Sequence, residues 1–362
     1  MKCPQKMKHL FITGHLPSNK TPIAGQKISY NFLNSIKNKR EYIILCFPNR
    51  VEKKYENLDF INSFGKFIGI YSGKINRLLN HLYGIRYPIK CSGRFSSKRK
   101  NLILDLIKSN DINEVTLEFT SVFCFYKSIR RNHPNIKINL IAHDISFQAM
   151  MRLSQFSNGL KKMFYYVEMI RLKKLELLIF KTNNVIVLNN KDREILLAEG
   201  IKDLNISVQP PILGSWLKTV DRNNISKYSI LFVGALHRPE NYESLKWFIE
   251  NIFDKLRKTY PKCKLIVVGN GAPKSLTKYQ SDAIQFLGYV KDLKTTFSTA
   301  HIAVSPILFG AGIKIKTLEY IAAGITTIST DIGAEGIDSH PLLHIANEED
   351  EFEKSIATIF NR

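Results

Sequence analysis

Apolar and polar residues alternate along this chain in two rhythms, and the clearest passage is 304–337. Residues 304–308 form a short apolar run of the length a buried parallel strand needs. Gly310 and Gly312 follow, where the backbone can turn tightly and leave room for a ligand. Ile315, Leu318 and Ala322 recur at helical spacing, Gly324 suits a left-handed helix stop, and 325–330 is rich in β-branched residues. The passage reads strand, glycine turn, helix, stop, strand.

The same rhythm extends in both directions. Strands are predicted at 8–13, 42–47, 114–119, 137–142, 184–188 and 205–208, with helices at 25–37, 96–109, 121–132, 157–182 and 192–199. Residues 50–95 show no sustained period, and are expected to be partly irregular, a mobile or membrane-facing segment. The 157–182 helix carries six Lys or Arg and several aromatics. It reads either as core-packed on one face and solvated on the other, or as lying on a membrane surface. Pro210, Pro211, Gly214 and the polar stretch 219–227 interrupt the pattern as a linker. Beyond it come strands at 228–234, 263–269 and 284–287 and helices at 241–258, 273–280 and 291–299. Strands alternating with helices predict an α/β protein with two doubly wound parallel sheets, in domains 1–212 and 213–362 facing across a cleft.

Composition narrows the function. The chain has 362 residues, ample for two cores. Its five cysteines (Cys3, Cys46, Cys91, Cys124, Cys263) are odd in number, scattered and without C-x-x-C spacing, so neither a disulfide framework nor a zinc site is expected. No signal-peptide pattern and no run of eighteen apolar residues is present, which predicts a cytoplasmic protein. The net charge of +22 is large. With no helix-turn-helix, zinc-finger or RNA-binding aromatic signature, it points away from nucleic acid and toward the anionic inner face of a membrane, against a general lysine-rich bias.

Candidate chemistry gathers at the start of the 315–322 helix. Its first turn carries Lys314 and Lys316 and no acid, an unfavourable placement against the helix dipole unless an anion binds there. Glu319 lies one turn beyond Lys316, where a carboxylate can accept hydrogen bonds from a ribose diol. Phosphate at the tip and sugar hydroxyls one turn down describe a nucleotide diphosphate. The bland alternative is a solvated surface helix with a Glu319–Lys316 pair. In the first half, the glycine loop at Gly25 lacks the third glycine of a dinucleotide fingerprint. His143 and Asp144 directly follow a predicted strand, with Glu118 at the end of the preceding one. Such strand ends face the ligand crevice of open sheets. A helix N-cap is the plain reading of Asp144, a hydrogen-bonded buried side chain that of His143.

Several segments, taken in order, resemble the donor-binding domain of family 4 retaining glycosyltransferases with the GT-B fold: 232–236 (FVGAL), 265–271 (LIVVGNG), 286–293 (FLGYVKDL), 300–306 (AHIAVSP), 310–324 (GAGIKIKTLEYIAAG) and 330–337 (TDIGAEGI). Gly25-Gln26, 142–144 (AHD) and 185–188 (VIVL) resemble the acceptor-side domain more loosely. The resemblance implies sugar transfer from a nucleotide-diphosphate donor, as substrate rather than cofactor, to a saccharide or lipid-linked saccharide acceptor in lipopolysaccharide, O-antigen or capsule assembly. It places Glu319 on the ribose, and Gly312, Ile313, Lys316 and, less directly, Lys314 near the diphosphate. Gly310 and Gly234 belong to the matching glycine turns, Gly25 faces the phosphates from the opposite side, and His143 lies near the donor sugar. The sequence departs from the commonest pattern: Ala311 stands where the first Glu of Glu-x7-Glu falls, and Ala235 and Glu240 where an Arg and a Lys are usual. His237 or Arg238 are the available substitutes. No Asp-x-Asp pair occurs, so a metal-bridged diphosphate is not expected. The rival readings are a GT-B sugar-nucleotide epimerase or hydrolase and a non-catalytic basic membrane scaffold.

Overall fold

The computed structural model describes residues 8–21, 23–38 and 41–362. The chain divides between Ile212 and Leu213 into two compact units. The first holds a seven-stranded sheet of β1 (Lys8–Thr13), β2 (Glu41–Cys46), β3 (Lys66–Gly69), β4 (Glu114–Glu118), β5 (Lys137–Ala142), β6 (Asn184–Val187) and β7 (Ile206–Val208), in the order β3-β2-β1-β4-β5-β6-β7. The second holds β8 (Ser229–Val233), β9 (Lys264–Val268), β10 (Ile284–Gly288), β11 (Ile302–Ser305), β12 (Thr326–Ser329) and β13 (Leu343–Ile345), in the order β10-β9-β8-β11-β12-β13. Every strand pairing is parallel.

Parallel sheets bury both faces, which is why these strands read as nearly unbroken apolar runs. Successive residues point to opposite sides. In β1, Leu10 and Ile12 join one buried cluster while Phe11 joins another with Leu33, Ile44 and Phe60. In β8, Ile230 and Phe232 pack on one face and Leu231 on the other. Both sheets reverse direction of growth once, between β1 and β4 and between β8 and β11. Ligands of open α/β sheets bind beyond the carboxyl ends of the strands at that reversal.

Some expectations need correction. Residues 50–95 are partly irregular but more ordered than their sequence suggests: between loops they carry a 3-10 turn (Arg50–Tyr55), helices Leu58–Asn62, Lys74–Tyr83 and Ile89–Ser92, and the edge strand β3. β3 was illegible because its four residues are exposed or half-buried and show no alternation. The strand expected at 304–308 is shifted forward to Ile302–Ser305 and ends before Pro306, which has no N–H for a ladder. Helix Ser146–Gln155 was not foreseen, nor were β13 and the closing helix Glu349–Phe360. The predicted 157–182 helix is present as Gly159–Phe180, but it buries an apolar face only in its second half, through Leu172, Leu175, Ile179 and Phe180. Of the cysteines, Cys3 lies outside the described residues; Cys46, Cys91, Cys124 and Cys263 are buried free thiols.

Candidate active site

At the reversal in the second sheet, β8 runs into Gly234 and β11 into the glycine turn that precedes helix Ile315–Ala322. The turn depends on glycine: Gly310 has φ +127° and Gly312 φ +74°, both in the region that side chains avoid. Lys314 occupies the N-cap position, no side chain caps the helix, and its first turn holds no acid. The N–H of Thr317 turns back to the Lys314 carbonyl at 3.0 Å, closing the first turn.

The two lysines are held differently. The Lys314 ammonium donates to the Gly312 carbonyl at 2.6 Å and lies 3.6 Å from Glu335. Lys316 turns toward the end of β8. Its Nζ donates to Asn241 Oδ1 at 3.0 Å and sits 4.1 Å from the centre of the Phe232 ring. Burial, reinforced by the charge of Lys314, pushes the Lys316 ammonium down to about 7, although Glu240 pulls the other way. Asn241 also donates to the Ala235 carbonyl at 3.1 Å, so one amide ties Lys316 to the loop after β8. That loop fits tightly against the turn after β9: a Cβ on Gly269 would overlap the Gly234 carbonyl oxygen. Arg238 forms an ion pair with Glu240, and Gly310 approaches both Glu240 and Lys314. Glu319 is half-buried one turn along the helix. Behind it the buried Tyr320 hydroxyl accepts the Val233 N–H at 2.6 Å, fixing the helix against β8.

The structure thus gathers Gly234, Arg238, Gly310, Gly312, Ile313, Lys314, Lys316 and Glu319 at one sheet reversal. Asn241, which orients Lys316, was missed; its only sequence signal is its place just after Pro239, the first residue of a helix.

The first unit has its own polar rim. His143 Nε2 lies 3.0 Å from Glu118 Oε1, and Ser29 donates to Glu118 Oε2 at 2.6 Å. The other ring nitrogen, Nδ1, is buried with no hydrogen-bond partner. Gly25 packs beside His143 and Phe119: a Cβ there would press on the Phe119 ring at 3.3 Å and touch Nδ1 at 3.8 Å. The ring stacks on Phe119 with centroids 3.9 Å apart. Phe119 has φ +69°, a strained value for an aromatic residue, of the sort that persists where neighbours over-determine it. Thr13 at the end of β1, Gln26 in the first turn of the following helix and Ser121 just after β4 also carry buried side-chain atoms without partners, while His15 Nδ1 lies 3.5 Å from Glu52 Oε1. With His143 that makes four residues near the strand ends whose buried polar atoms have no hydrogen-bond partner, the kind of group that calls for an explanation.

Asp144 is not an N-cap. The first N–H groups of helix Ser146–Gln155 go instead to Glu176, which accepts from Ser146 and Phe147 and from the Thr120 hydroxyl at 2.8 Å. Burial pushes Glu176 up to about 7 despite Lys90 and Thr120. With the caps filled, Asp144 is released to pair with Lys90 at 3.0 Å and to accept from Ser146 at 2.8 Å. Burial alone would raise its carboxyl, but Lys90 and these bonds hold it below the usual range. Lys90 and Glu176 had no signal in the sequence; the first lies in the segment without period, the second on a helix read as amphipathic. Among the described residues no cluster of three or more His, Cys, Asp or Glu is placed to hold a metal.

Known proteins resemble the chain in part and in whole. Residues 227–362 match the model described as Glycosyl transferases group 1. A Klebsiella pneumoniae protein described as an uncharacterized 44.6 kDa protein in the cps region is 28% identical over 302 residues, covering 78% of this chain and 76% of that one. Among solved structures, the apo lipopolysaccharide outer core galactosyltransferase WaaB superposes with a TM-score of 0.61 at 14% identity, over 98% of this chain and 90% of its own. HepE of Anabaena, solved with UDP, gives 0.63 at 12%, over 98% and 90%. UDP-GlcNAc 2-epimerase of Methanocaldococcus jannaschii gives 0.55 at 12%, over 98% and 93%. At these identities the structural likenesses establish the fold.

Proposed function

We propose that this chain, a group 1 glycosyltransferase by its residues 227–362 and GT-B in fold, moves a sugar from a nucleotide diphosphate to a saccharide or lipid-linked saccharide, with retention at the anomeric carbon. The observation that carries this reading is the pair of lysines at an uncapped helix start, one of them desolvated against Phe232. A diphosphate leaving group gains negative charge as the bond from the anomeric carbon to phosphate oxygen breaks. Lys316, Lys314 and the positive end of the helix dipole would stabilise that charge. The acceptor oxygen attacks the anomeric carbon on the face the phosphate leaves, and its proton passes to the departing phosphate oxygen. In this reading the positive charge comes from lysines rather than a metal, Glu319 holds the ribose, and His143 Nδ1 meets a sugar hydroxyl. The Klebsiella relative's cps location supports a place in surface polysaccharide assembly, capsule, O-antigen or lipopolysaccharide. The charge of +22 supports work at the cytoplasmic face of the membrane, where a lipid-linked acceptor would lie.

A thermal-shift series with UDP-, GDP-, ADP- and dTDP-sugars tests the donor. Donor at a hundred times its Kd should stabilise the wild type by about 2.7 kcal/mol. Lys316→Met and Glu319→Gln should lose that response, whereas a basic scaffold with no donor site would show none in any variant. Prompt turnover of donor in water alone would favour the epimerase or hydrolase reading.

A further inference from the structure

Two helical stripes on the first unit point away from its core. In helix Lys74–Tyr83, Ile75, Leu78, Leu79 and Leu82 fall at i, i+3, i+4 and i+7, the spacing of a single helix face. They are 45% to 76% exposed, and none of the ten residues of that helix is buried. The opening half of helix Gly159–Phe180 repeats the pattern with Leu160, Met163, Phe164, Val167 and Ile170, which are 46% to 81% exposed. The chain between the helices is fastened to the second stripe: Arg171 donates to the carbonyls of Ile85 and Tyr87, and the Ile89 N–H donates to Glu168 at 2.6 Å. Ile85 and Ile89 are themselves exposed. In a globular protein stripes of this width face inward; left outside, they mark an interaction surface.

The charge around the stripes selects the partner. No Asp or Glu occurs between Asp59 and Asp105 or between Asp144 and Glu168, while Lys74, Arg77, Arg86, Lys161 and Lys162 accompany the apolar positions. Two-fold pairing with a second copy would set these cations against one another. No helix among the described residues is long and apolar enough to cross a membrane, which leaves an interfacial position. We propose that this face docks on an anionic lipid surface, its stripes sunk to the boundary between headgroups and acyl chains and its basic residues among the headgroups. The proposal names the part of the chain that meets the membrane invoked above, using no residue assigned to the donor.

Co-sedimentation with phosphatidylcholine vesicles, with and without roughly a third phosphatidylglycerol, tests it. The wild type should bind the anionic vesicles in a salt-sensitive way and leave the neutral ones. Lys161→Gln with Lys162→Gln, at about 1 kcal/mol per cation, should weaken binding about 30-fold. Leu78→Asp with Leu82→Asp, and Leu160→Asp with Phe164→Asp, should abolish it. Circular dichroism and nucleotide-diphosphate affinity, both unchanged, would show that these surface variants fold. Equal binding to both vesicles, none to either, or wild-type binding by the aspartate variants overturns the proposal. So does a wild-type dimer that the aspartate variants dissociate, since the face would then belong to a second copy. Loss of donor affinity in the wild type with vesicle binding intact would sink the transferase reading alone.

Discussion

Binding of a nucleotide diphosphate should pull a proton onto Lys316. With no anion beside it the ammonium titrates at about 7, held down by burial and by Lys314. At pH 8, one unit above that value, about a tenth of the unliganded molecules carry the proton. A diphosphate in contact supplies the missing countercharge and returns the group toward its ordinary value of 10.5. Each binding event at pH 8 should therefore take up about 0.9 proton, and at pH 7 about 0.5. Affinity should weaken nearly tenfold from pH 8 to pH 9 and level off below pH 7. The phosphates are fully ionised at pH 8, so the uptake cannot come from the ligand. Titration calorimetry in two buffers of different ionisation enthalpy, neither of them phosphate, counts the protons directly. Lys316→Met should bind more weakly with no uptake. A wild type that binds at pH 8 without taking up a proton, or a Met variant that takes up as much, would refute the placement of Lys316 on the diphosphate.

Replacing Glu319 by Gln should cost about 10- to 100-fold in donor affinity, as expected for charge-assisted bonds to a diol; titration calorimetry with the nucleotide diphosphate measures it, and unchanged affinity would remove Glu319 from the ribose. His143→Ala should lower kcat/KM at least roughly tenfold, with circular dichroism checking that the variant still folds without the Glu118 contact and the Phe119 stack. Glu176 has a folded value near 7, above its ordinary 4.5, so the folded state binds the extra proton between those limits and the group's contribution falls as pH rises through 7. Glu176→Gln should remove a decline on the order of 3 kcal/mol in denaturant stability between pH 5 and pH 8; an identical decline in both proteins would show the buried carboxyl is not its source. Gly269→Ala sets a methyl on the Gly234 carbonyl, and soluble yield should collapse; a normally stable variant would mean the two turns are not locked together.

The strands of the second unit were legible because both faces of each are buried, leaving runs such as Leu265–Val268 with no polar interruption. The gathering of Lys314 and Lys316 at the helix start was legible for a different reason: lysines there contradict the dipole, and a local contradiction often marks function. β3 was hidden because an edge strand of four half-exposed residues carries no period. Whether Asp144 caps the helix could not be read from sequence, because the group that accepts from Ser146, Glu176, is thirty residues away and meets it only after the 159–180 helix has packed. The outward stripe of Lys74–Tyr83 has the spacing of a core helix, and sequence cannot say which way such a face turns.

Each apolar cluster draws on one unit only, two on residues before Ile212 and two on residues after Leu213. Neither half borrows its interior from the other, so each can be inherited as a complete article. A lineage could keep one half and exchange the other by recombining at one short stretch of chain. New specificities would then arise by substitution of a whole module rather than by gradual remodelling of a pocket.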